Sequence, residues 1–405
     1  MMKLLDKFKF INENMKVILL GQLITNIAYF AIIPFLSFYF TNSFFDIGQV
    51  GKLITYRALF NVIGIIIGGI IADNFSTKKV VVISLSTMVI FFLILIYSQD
   101  YLVYLTILSG IGLLYGISYP SESIMIMNNS NDENRATIFA ILRVLINISA
   151  CLAPILLVQF FDRLKLITFF IFAMLYLIYV LFIVLFYHEK EDLVVNQKIE
   201  IRKLLKKEVS NIYNICKDFN FIFILFSLTL STVSTFFIST TLALYLKLNV
   251  QDNPEEIYKL IVILNTWLVI FFQIPISSLS IKLTYTKAAI LGQFLVSISF
   301  IILLLNDSYL VFFTSFVILT LGEMFISPGA MLLVIDNCKN NNLGKYLSIG
   351  KLRIFLALPL SSALGSYFLS KKSEELLLII LSVISFIGGI ILIIIRNKIK
   401  DSSRY

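Results

Sequence analysis

The sequence predicts an all-α membrane protein in which twelve transmembrane helices form two six-helix bundles related by a pseudo-twofold repeat. Three observations support this fold class. The 405 residues are 59% hydrophobic and only 14% charged, with a mean hydropathy of +0.93. The apolar residues form long continuous runs, and two distant segments match at a constant offset. A soluble domain carries about 25% charged residues, so this chain has too few to cover a water-exposed surface.

The apolar runs are each long enough to cross the hydrocarbon core of a bilayer, which takes about 20 residues. Because the runs are continuous rather than alternating, they predict helices and not barrel strands. The predicted spans are 17–39, 50–72, 80–97, 102–127, 137–161, 166–187, 219–247, 257–279, 286–305, 309–333, 344–370 and 375–395.

The longest polar interruption separates the sixth predicted helix from the seventh. It predicts an N-terminal bundle over 1–188, a cytoplasmic loop over 189–218 and a C-terminal bundle over 219–405. Within the loop, 199–215 has apolar residues at helical spacing with lysines between them. Two interpretations remain open for this stretch, a helix on the inner membrane surface and a solvated linker.

The distribution of lysine and arginine predicts the orientation. With an even number of helices, both termini lie on one side, and the segments of that side hold 22 Lys and Arg against 6 in the opposite loops. This positive-inside bias places both termini in the cytoplasm of a multi-pass protein of the cell membrane. It also assigns the net charge of +9 to contacts with lipid headgroups, so no nucleic-acid partner is predicted.

The two halves of the chain repeat. Aligning Pro120 of YGISYPSESIMI with Pro328 of EMFISPGAMLLV gives an offset of 208 residues, and the same offset pairs Arg143 with Lys351. Parallel duplication with the substrate between the halves is a transporter architecture.

The stretch GGIIADNFSTKK, residues 68–79, interrupts the apolar pattern with one short charged turn. Its Gly69, Asp73, Lys78 and Lys79 resemble the signature of the major facilitator superfamily (MFS) between helices 2 and 3, with Ser76 in place of the second glycine. We expect Gly69 to allow close approach of neighbouring helices. We expect the two lysines to anchor the turn to headgroups.

The resemblance implies a gating role for Asp73. In the family this carboxylate faces the positive N-terminal end of helix 11 and closes the cytoplasmic gate in the outward-open state. The alternative is a simple helix cap or headgroup contact, since a carboxylate at a helix terminus contributes only about 1 kcal/mol.

Three further segments resemble proton-coupled multidrug exporters of this superfamily, the drug:H+ antiporter type. They are NNSNDENRATIFAILRVL (128–145), TLGEMFISP (320–328) and GKYLSIGKLR (344–353). The resemblance implies the MFS fold, a small-molecule substrate, coupling to protons and a monomer. The glycine-rich antiporter signature of helix 5 is reduced here to Ala153–Pro154.

Charged residues within predicted helices cost roughly 2.5–3.5 kcal/mol each and therefore need a reason. Glu323 matches the acid of the family's TLGE segment and is the first candidate for proton coupling, with Glu122 second. Glu323 is alternatively a structural residue bonded to helix 11 through Lys351. We expect Glu122 to pair with Arg143, either as structure or as part of a gate.

Three more basic residues lie within the predicted helices. Function and snorkelling to the interface remain equally open for Arg57, Lys351 and Arg353. Asp46 is the acid that Arg57 would reach by snorkelling.

Polar and aromatic side chains of helices 1, 7 and 8 are candidates for a substrate cavity. The hydroxyls of helix 7 alternatively bend that helix by bonding its own backbone. The rings of helix 8 either stack on flat cations or face lipid. The predicted cavity residues are Gln22, Asn26, Tyr29, Ser234, Trp267 and Phe271.

Together these features predict proton-coupled efflux of amphipathic or cationic small molecules by alternating access. The alternatives are a proton-coupled symporter that imports a small nutrient, and a narrow-substrate exporter of a metabolite or peptide. One histidine and three scattered cysteines form no catalytic or metal-binding cluster. With no phosphate-binding glycine loop either, we expect no enzyme activity, no cofactor and no metal.

Overall fold

The computed structural model describes most of the chain as helix, and all structural statements below refer to the described residues. Of the predicted loop over 189–218, only its first and last residues are described, so the stretch 199–215 lies outside them. The described residues are 12–41, 45–161, 165–189, 218–250, 252–306, 308–337 and 343–398.

The chain divides into two compact units, Met1–Asn196 and Gln197–Tyr405. Among its described residues the first unit contains six long helices, and the first of these continues into a π-helical turn, Leu36–Phe40, just after Pro34. The six helices are α1 Glu13–Phe35, α2 Ile47–Asn74, α3 Thr77–Tyr97, α4 Tyr101–Asn128, α5 Asp132–Phe161 and α6 Lys165–Phe186.

The described part of the second unit also contains six helical spans, the first of which is divided into three pieces. These are α7a Phe219–Thr235, α7b Phe237–Thr240, α7c Leu242–Asn249, α8 Pro254–Leu283, α9 Tyr285–Leu303, α10 Tyr309–Asp336, α11 Leu343–Ser370 and α12 Glu374–Ile395. Across the described ranges, ten helices are long and apolar enough to cross a membrane, and α5 and α7a contribute shorter apolar segments. The all-helical, two-bundle fold class is confirmed.

The helix bounds show the predicted repeat. Moving α4 along the sequence by 208 residues reproduces both ends of α10. The same shift reproduces α8 from α2, α9 from α3 and α12 from α6 to within two residues at each end. The duplication therefore extends over the helices and turns of both bundles.

In the N-terminal bundle, α2 and α4 pack with their backbones in contact. A Cβ atom at Gly64 would lie 2.1 Å from the carbonyl oxygen of Leu113, and one at Gly68 would lie 2.6 Å from that of Ile117. The prediction for Gly69 is wrong, because a Cβ atom there meets nothing within 4 Å. Successive helical residues are rotated by about 100°, so Gly68 faces α4 and its neighbour points away.

In the C-terminal bundle, α9 and α10 pack with their backbones in contact. Cβ atoms built at Gly292 and Gly322 would lie 2.6 and 2.7 Å from each other's carbonyl oxygens. Hydroxyls fasten α12 to its neighbours: Ser227 donates to the carbonyl of Gly388 at 2.8 Å, and Ser385 donates to that of Gln293 at 2.9 Å.

The predicted bend of helix 7 is confirmed. Its hydroxyls donate to carbonyls four residues back, as Thr229 does to Leu225 at 2.7 Å and Thr232 to Leu228 at 2.6 Å. Such bonds compete with the helical ladder. The helix is interrupted at Phe236 and again at Thr241.

Candidate functional site

A polar cluster lies inside the N-terminal bundle, mainly between α1 and α4. Its members on α1 stand at helical spacing, so one face of α1 carries all of them. A neighbouring helix, α2, adds one basic residue. We call this group the N-bundle cluster; it consists of Gln22, Asn26, Tyr29, Arg57, Tyr115 and Glu122.

The acid of the cluster is Glu122, which is 7% exposed. Its Oε2 accepts a hydrogen bond from Nε2 of Gln22 at 2.5 Å, and Oε1 of Gln22 accepts one from Nδ2 of Asn26 at 3.2 Å. Two neutral amides thus lead from the carboxylate into the bundle. The side chain of Arg143, the expected partner of Glu122, lies outside the described residues.

Two tyrosines continue the cluster beyond the amides. The Tyr115 hydroxyl donates to Oδ1 of Asn26 at 3.4 Å. The rings of Tyr29 and Tyr115 stack with centroids 4.5 Å apart and an interplanar angle of 21°. They form a flat aromatic surface between the carboxylate and the basic end of the cluster.

The basic end of the cluster is Arg57, which is 4% exposed. Its guanidinium carbon lies 4.8 Å from the centroid of the Tyr29 ring. Asp46 is not its partner, because Asp46 begins α2 with a capping box and accepts a hydrogen bond from the Gln49 amide. Eleven residues of helix separate Asp46 from Arg57, which is about 16 Å.

The predicted charges of the C-terminal bundle are more dispersed. Glu323 lies in α10 and is partly exposed. Arg353 of α11 is also partly exposed, and its Nη1 donates to the Thr232 hydroxyl at 3.5 Å. The side chain of Lys351 lies outside the described residues, so its predicted contact with Glu323 is not described.

The other cavity candidates separate into two kinds. Trp267 and Phe271 on α8 are 52% and 59% exposed and stack on each other at 5.1 Å. Ser234 is fully buried, and its hydroxyl donates to the carbonyl of Leu381 on α12 at 2.8 Å. The structure therefore gives Ser234 a packing role in place of the predicted cavity role.

A second polar group surrounds the turn between α2 and α3 and centres on Glu189, which sequence analysis missed. The carboxylate accepts hydrogen bonds from the hydroxyls of Ser76 and Thr77 and from the amide of Lys78 at 3.2 Å. Ser76 also caps α3 by accepting from the Lys79 amide at 3.3 Å. Glu189 therefore binds at the positive end of α3.

The environment of Glu189 favours its ionised form. Partial burial raises the pKa of this carboxyl, but the hydrogen bonds from Ser76, Thr77 and the backbone outweigh burial and leave the pKa below its ordinary value. In the sequence, Glu189 was the first residue of a polar loop. Only the packing of α6 beside α3 brings it to the turn.

The motif residues lie in this second group or beside it. Lys78 donates from Nζ to the carbonyl of Tyr187 at 2.6 Å, so it caps the end of α6, and the expectation of a headgroup anchor is wrong for this residue. Lys79 and Asp73 are exposed. Asp73 lines a small cleft of about 70 Å³ that also includes Asn129.

Comparison with known proteins places these features in a family. Residues 18–254 and 221–404 match the family model of the Major Facilitator Superfamily. The chain belongs to this superfamily. As an MFS protein it is a multi-pass membrane transporter, and members of such families are not generally enzymes.

Two known proteins are similar to this chain in sequence. The chain is 22% identical over 344 residues to the uncharacterized MFS-type transporter YqjV of Bacillus subtilis (strain 168), which covers 84% of this chain and 83% of the relative. It is 27% identical over 157 residues to a Na(+), Li(+), K(+)/H(+) antiporter of Planococcus maritimus, covering 37% and 36% of the two chains.

Solved MFS structures share the fold at low sequence identity. A POT family transporter in complex with 5-aminolevulinic acid superposes with a TM-score of 0.78 at 14% identity, covering 95% of this chain and 96% of that one. The nucleoside transporter NupG superposes with a TM-score of 0.70 at 14% identity, covering 95% and 99%. These likenesses concern the fold alone.

Proposed function

We propose that this protein is a monomeric proton-coupled exporter of amphipathic or cationic small molecules, located in the cell membrane with both termini in the cytoplasm. The observation that carries the proposal is the buried carboxylate of Glu122, whose described hydrogen-bond donor is the neutral amide of Gln22. A buried carboxylate is less costly when it is protonated or paired with a cation. It can therefore hold a proton or a cationic cargo alternately.

The exchange follows from this competition. Cargo that enters from the cytoplasm displaces the proton of Glu122, and its flat apolar part packs on the stacked rings of Tyr29 and Tyr115. After the cargo leaves on the outside, a proton from that side returns to the acid. Alternating access then returns the protonated site to the cytoplasmic side, where the next cargo displaces the proton into the cytoplasm and completes the cycle.

Glu323 serves in this proposal as a second proton-coupling acid. Its position in α10 and its match to the family's acid support the assignment. Asp73, exposed at the end of α2, serves as the gating acid of the motif. Glu189 and Lys78 support it by holding the turn of the motif to α6.

The test is uptake of rhodamine 123, a fluorescent lipophilic cation, into inverted membrane vesicles whose lumen is acidified. The wild type is compared with Glu122→Gln and Glu323→Gln, and the exposed Glu375→Gln is the matched control. We expect the wild type and the control to accumulate dye as the gradient is applied. Both test variants should fall to the level of vesicles without the protein.

Equal gradient-driven uptake by all four proteins would remove both acids from proton coupling. Uptake by the wild type only in right-side-out vesicles with an acidified exterior would support proton-coupled import instead of export. Insertion and folding of each variant are checked by its elution in size-exclusion chromatography. A variant that elutes as aggregate is excluded from the comparison.

A second candidate function is the exchange of monovalent metal cations for protons. The similarity to a Na(+), Li(+), K(+)/H(+) antiporter favours it, although the match covers 37% of this chain. In the same vesicles, such an exchanger would dissipate the proton gradient when Na⁺ or K⁺ is added. A pH-sensitive dye records this loss without any organic cargo.

A further inference from the structure

The guanidinium of Arg57 is buried without a matching anion. The side chain is 4% exposed, and its Nε is buried with no hydrogen-bond partner. Among the described residues, no carboxylate forms an ion pair with Arg57. Its one described polar contact is the face of the Tyr29 ring.

A cation–π contact offsets only part of the cost of burying a guanidinium. Such a cation is normally retained in a membrane helix when it has a partner for part of the functional cycle. The five N–H donors of arginine form a planar fork that fits a carboxylate with two parallel hydrogen bonds. A carboxylate is therefore the binding partner that would match the Arg57 guanidinium.

The surroundings of Arg57 contain the other parts of a binding site. The stacked rings of Tyr29 and Tyr115 lie beside it, and Glu122 lies at the other end of the same cluster. The Tyr176 hydroxyl of α6 is within electrostatic range of both Arg57 and Glu122. Opposite charges thus flank one aromatic region, with each charge buried.

We propose that Arg57 binds a carboxylate of the transported molecule, so that the cargo is zwitterionic: its anionic group binds Arg57, its cationic group binds Glu122 and its apolar part packs on Tyr29 and Tyr115. This inference rests on the proposed function to the extent that cargo enters the N-bundle cluster. It narrows the cargo from amphipathic cations to molecules that carry both charges.

The test compares two dyes that differ in one group. Rhodamine 110 has a free carboxylate, and rhodamine 123 is its methyl ester. Binding of each dye to the purified protein in detergent is measured by fluorescence polarisation at constant pH, without a gradient. We expect the wild type to bind rhodamine 110 at least about tenfold more tightly, as a charge-assisted hydrogen bond allows.

Two variants on α2 assign the preference to Arg57. Arg57→Met should remove the preference for rhodamine 110 over rhodamine 123. Lys52→Met, which removes an exposed cation from the same helix, should keep it. Arg57→Lys retains the positive charge but not the planar guanidinium, and it should reduce the preference for rhodamine 110 to a few-fold. If Arg57→Met does not fold, this variant serves as the test of the role of Arg57.

Equal affinity of the wild type for the two dyes, or failure to bind rhodamine 110, would overturn the inference. So would a preference that survives in Arg57→Met. If Arg57 instead binds free chloride, replacing chloride by gluconate would lower the melting temperature of the wild type but not of Arg57→Met, and neither dye would be preferred. The binding assay uses no proton gradient, so its result does not depend on proton coupling. If the vesicle assay showed no proton-driven uptake, the proposed function would be refuted, but the measured preference for rhodamine 110 would still hold.

Discussion

The two bundles share one layout of helices but differ in what they bury. At the repeat offset of 208 residues, Arg57 corresponds to Asn265 and Glu122 corresponds to Ala330. In the C-terminal copy, Nδ2 of Asn265 donates to the Thr320 hydroxyl at 2.9 Å, so a neutral pair stands where the N-terminal copy has a charge. The two copies therefore share the same helix layout but differ in charge at these two positions.

The acid of the C-terminal copy also occupies a different place. Glu323 corresponds to Tyr115, one of the two stacked rings of the N-bundle cluster. A position that carries an aromatic surface in one bundle thus carries a carboxylate in the other. The two candidate acids are therefore not repeat equivalents, and they are expected to serve different steps of transport.

The two bundles also differ in which pair of helices makes the close glycine contacts. Gly68 corresponds to Ile276, so α8 cannot approach α10 as α2 approaches α4. The C-terminal bundle instead places its contacting glycines, Gly292 and Gly322, on α9 and α10. The pair of helices that fits most tightly is thus set by side-chain volume within a conserved arrangement.

The largest expected effect follows from the glycine contact of the N-terminal bundle. Gly64→Val would place methyl groups against the α4 backbone, where a Cβ atom already lies 2.1 Å from a carbonyl oxygen. We expect a loss of about 3 kcal/mol of stability, at the upper end of the usual cost of overpacking. Gly69→Ala is the matched control and should be neutral or stabilising by up to about 1 kcal/mol, because alanine favours helix. Thermal unfolding monitored by size-exclusion chromatography measures both, and equal losses would show that α2 does not use this face.

A smaller effect separates Arg57 from its repeat equivalent. Arg57→Met should raise the stability of the ligand-free protein by about 1–2 kcal/mol, because it removes a buried charge that has no anionic partner among the described residues. Asn265→Leu should lower stability by about 1 kcal/mol, since it removes the hydrogen bond to Thr320. Both are measured as melting temperatures in detergent without cargo. Destabilisation by Arg57→Met would mean that its partner is already present in the protein.

The smallest effect concerns Glu189, which has the neutral Asn397 at the equivalent position of the second copy. Because the folded pKa of Glu189 lies below its ordinary value, its ionised form stabilises the fold above the unfolded pKa of about 4.3, and this contribution is lost as the pH falls through the folded pKa. Glu189→Gln should therefore cost at most about 1 kcal/mol at pH 7.5, after allowance for screening.

The pH dependence separates this electrostatic role from simple packing. The difference in melting temperature between the wild type and Glu189→Gln should stay constant from pH 7.5 to about 5 and then shrink as the pH is lowered to about 3. A difference that stays constant over the whole range would assign the effect to shape and hydrogen bonding alone. Asn397→Asp is the matched control and should show no comparable pH-dependent stabilisation.

Features that depend on local sequence were predictable. The lengths of the apolar runs predicted the helices. The many Ser and Thr residues of helix 7 predicted its bend, and their hydroxyls donate to the helix backbone as expected. The sequence did not predict which face of a helix contacts which neighbouring helix. Apolar residues surround most of these helices, so the sequence does not show that Gly68 rather than Gly69 faces α4.

The N-bundle cluster was predicted in part for the same reason. Gln22, Asn26 and Tyr29 were recognised because polar residues are rare in an apolar helix. Their contacts with Glu122 and Tyr115 on α4 arise from packing across about 100 residues of sequence, which a single chain does not reveal. Glu189 was missed because a carboxylate just beyond a helix end is ordinary until its donors are known.

The position of Glu189 has a mechanical consequence. Glu189 accepts a hydrogen bond at the start of α3, and Lys78 donates one to the end of α6. The turn between α2 and α3 is therefore held to the end of α6 at two points. Any displacement of the end of α6 is therefore transmitted through the Glu189 carboxylate to the start of α3. The turn that follows Asp73 and the end of α6 are thus expected to move as one body.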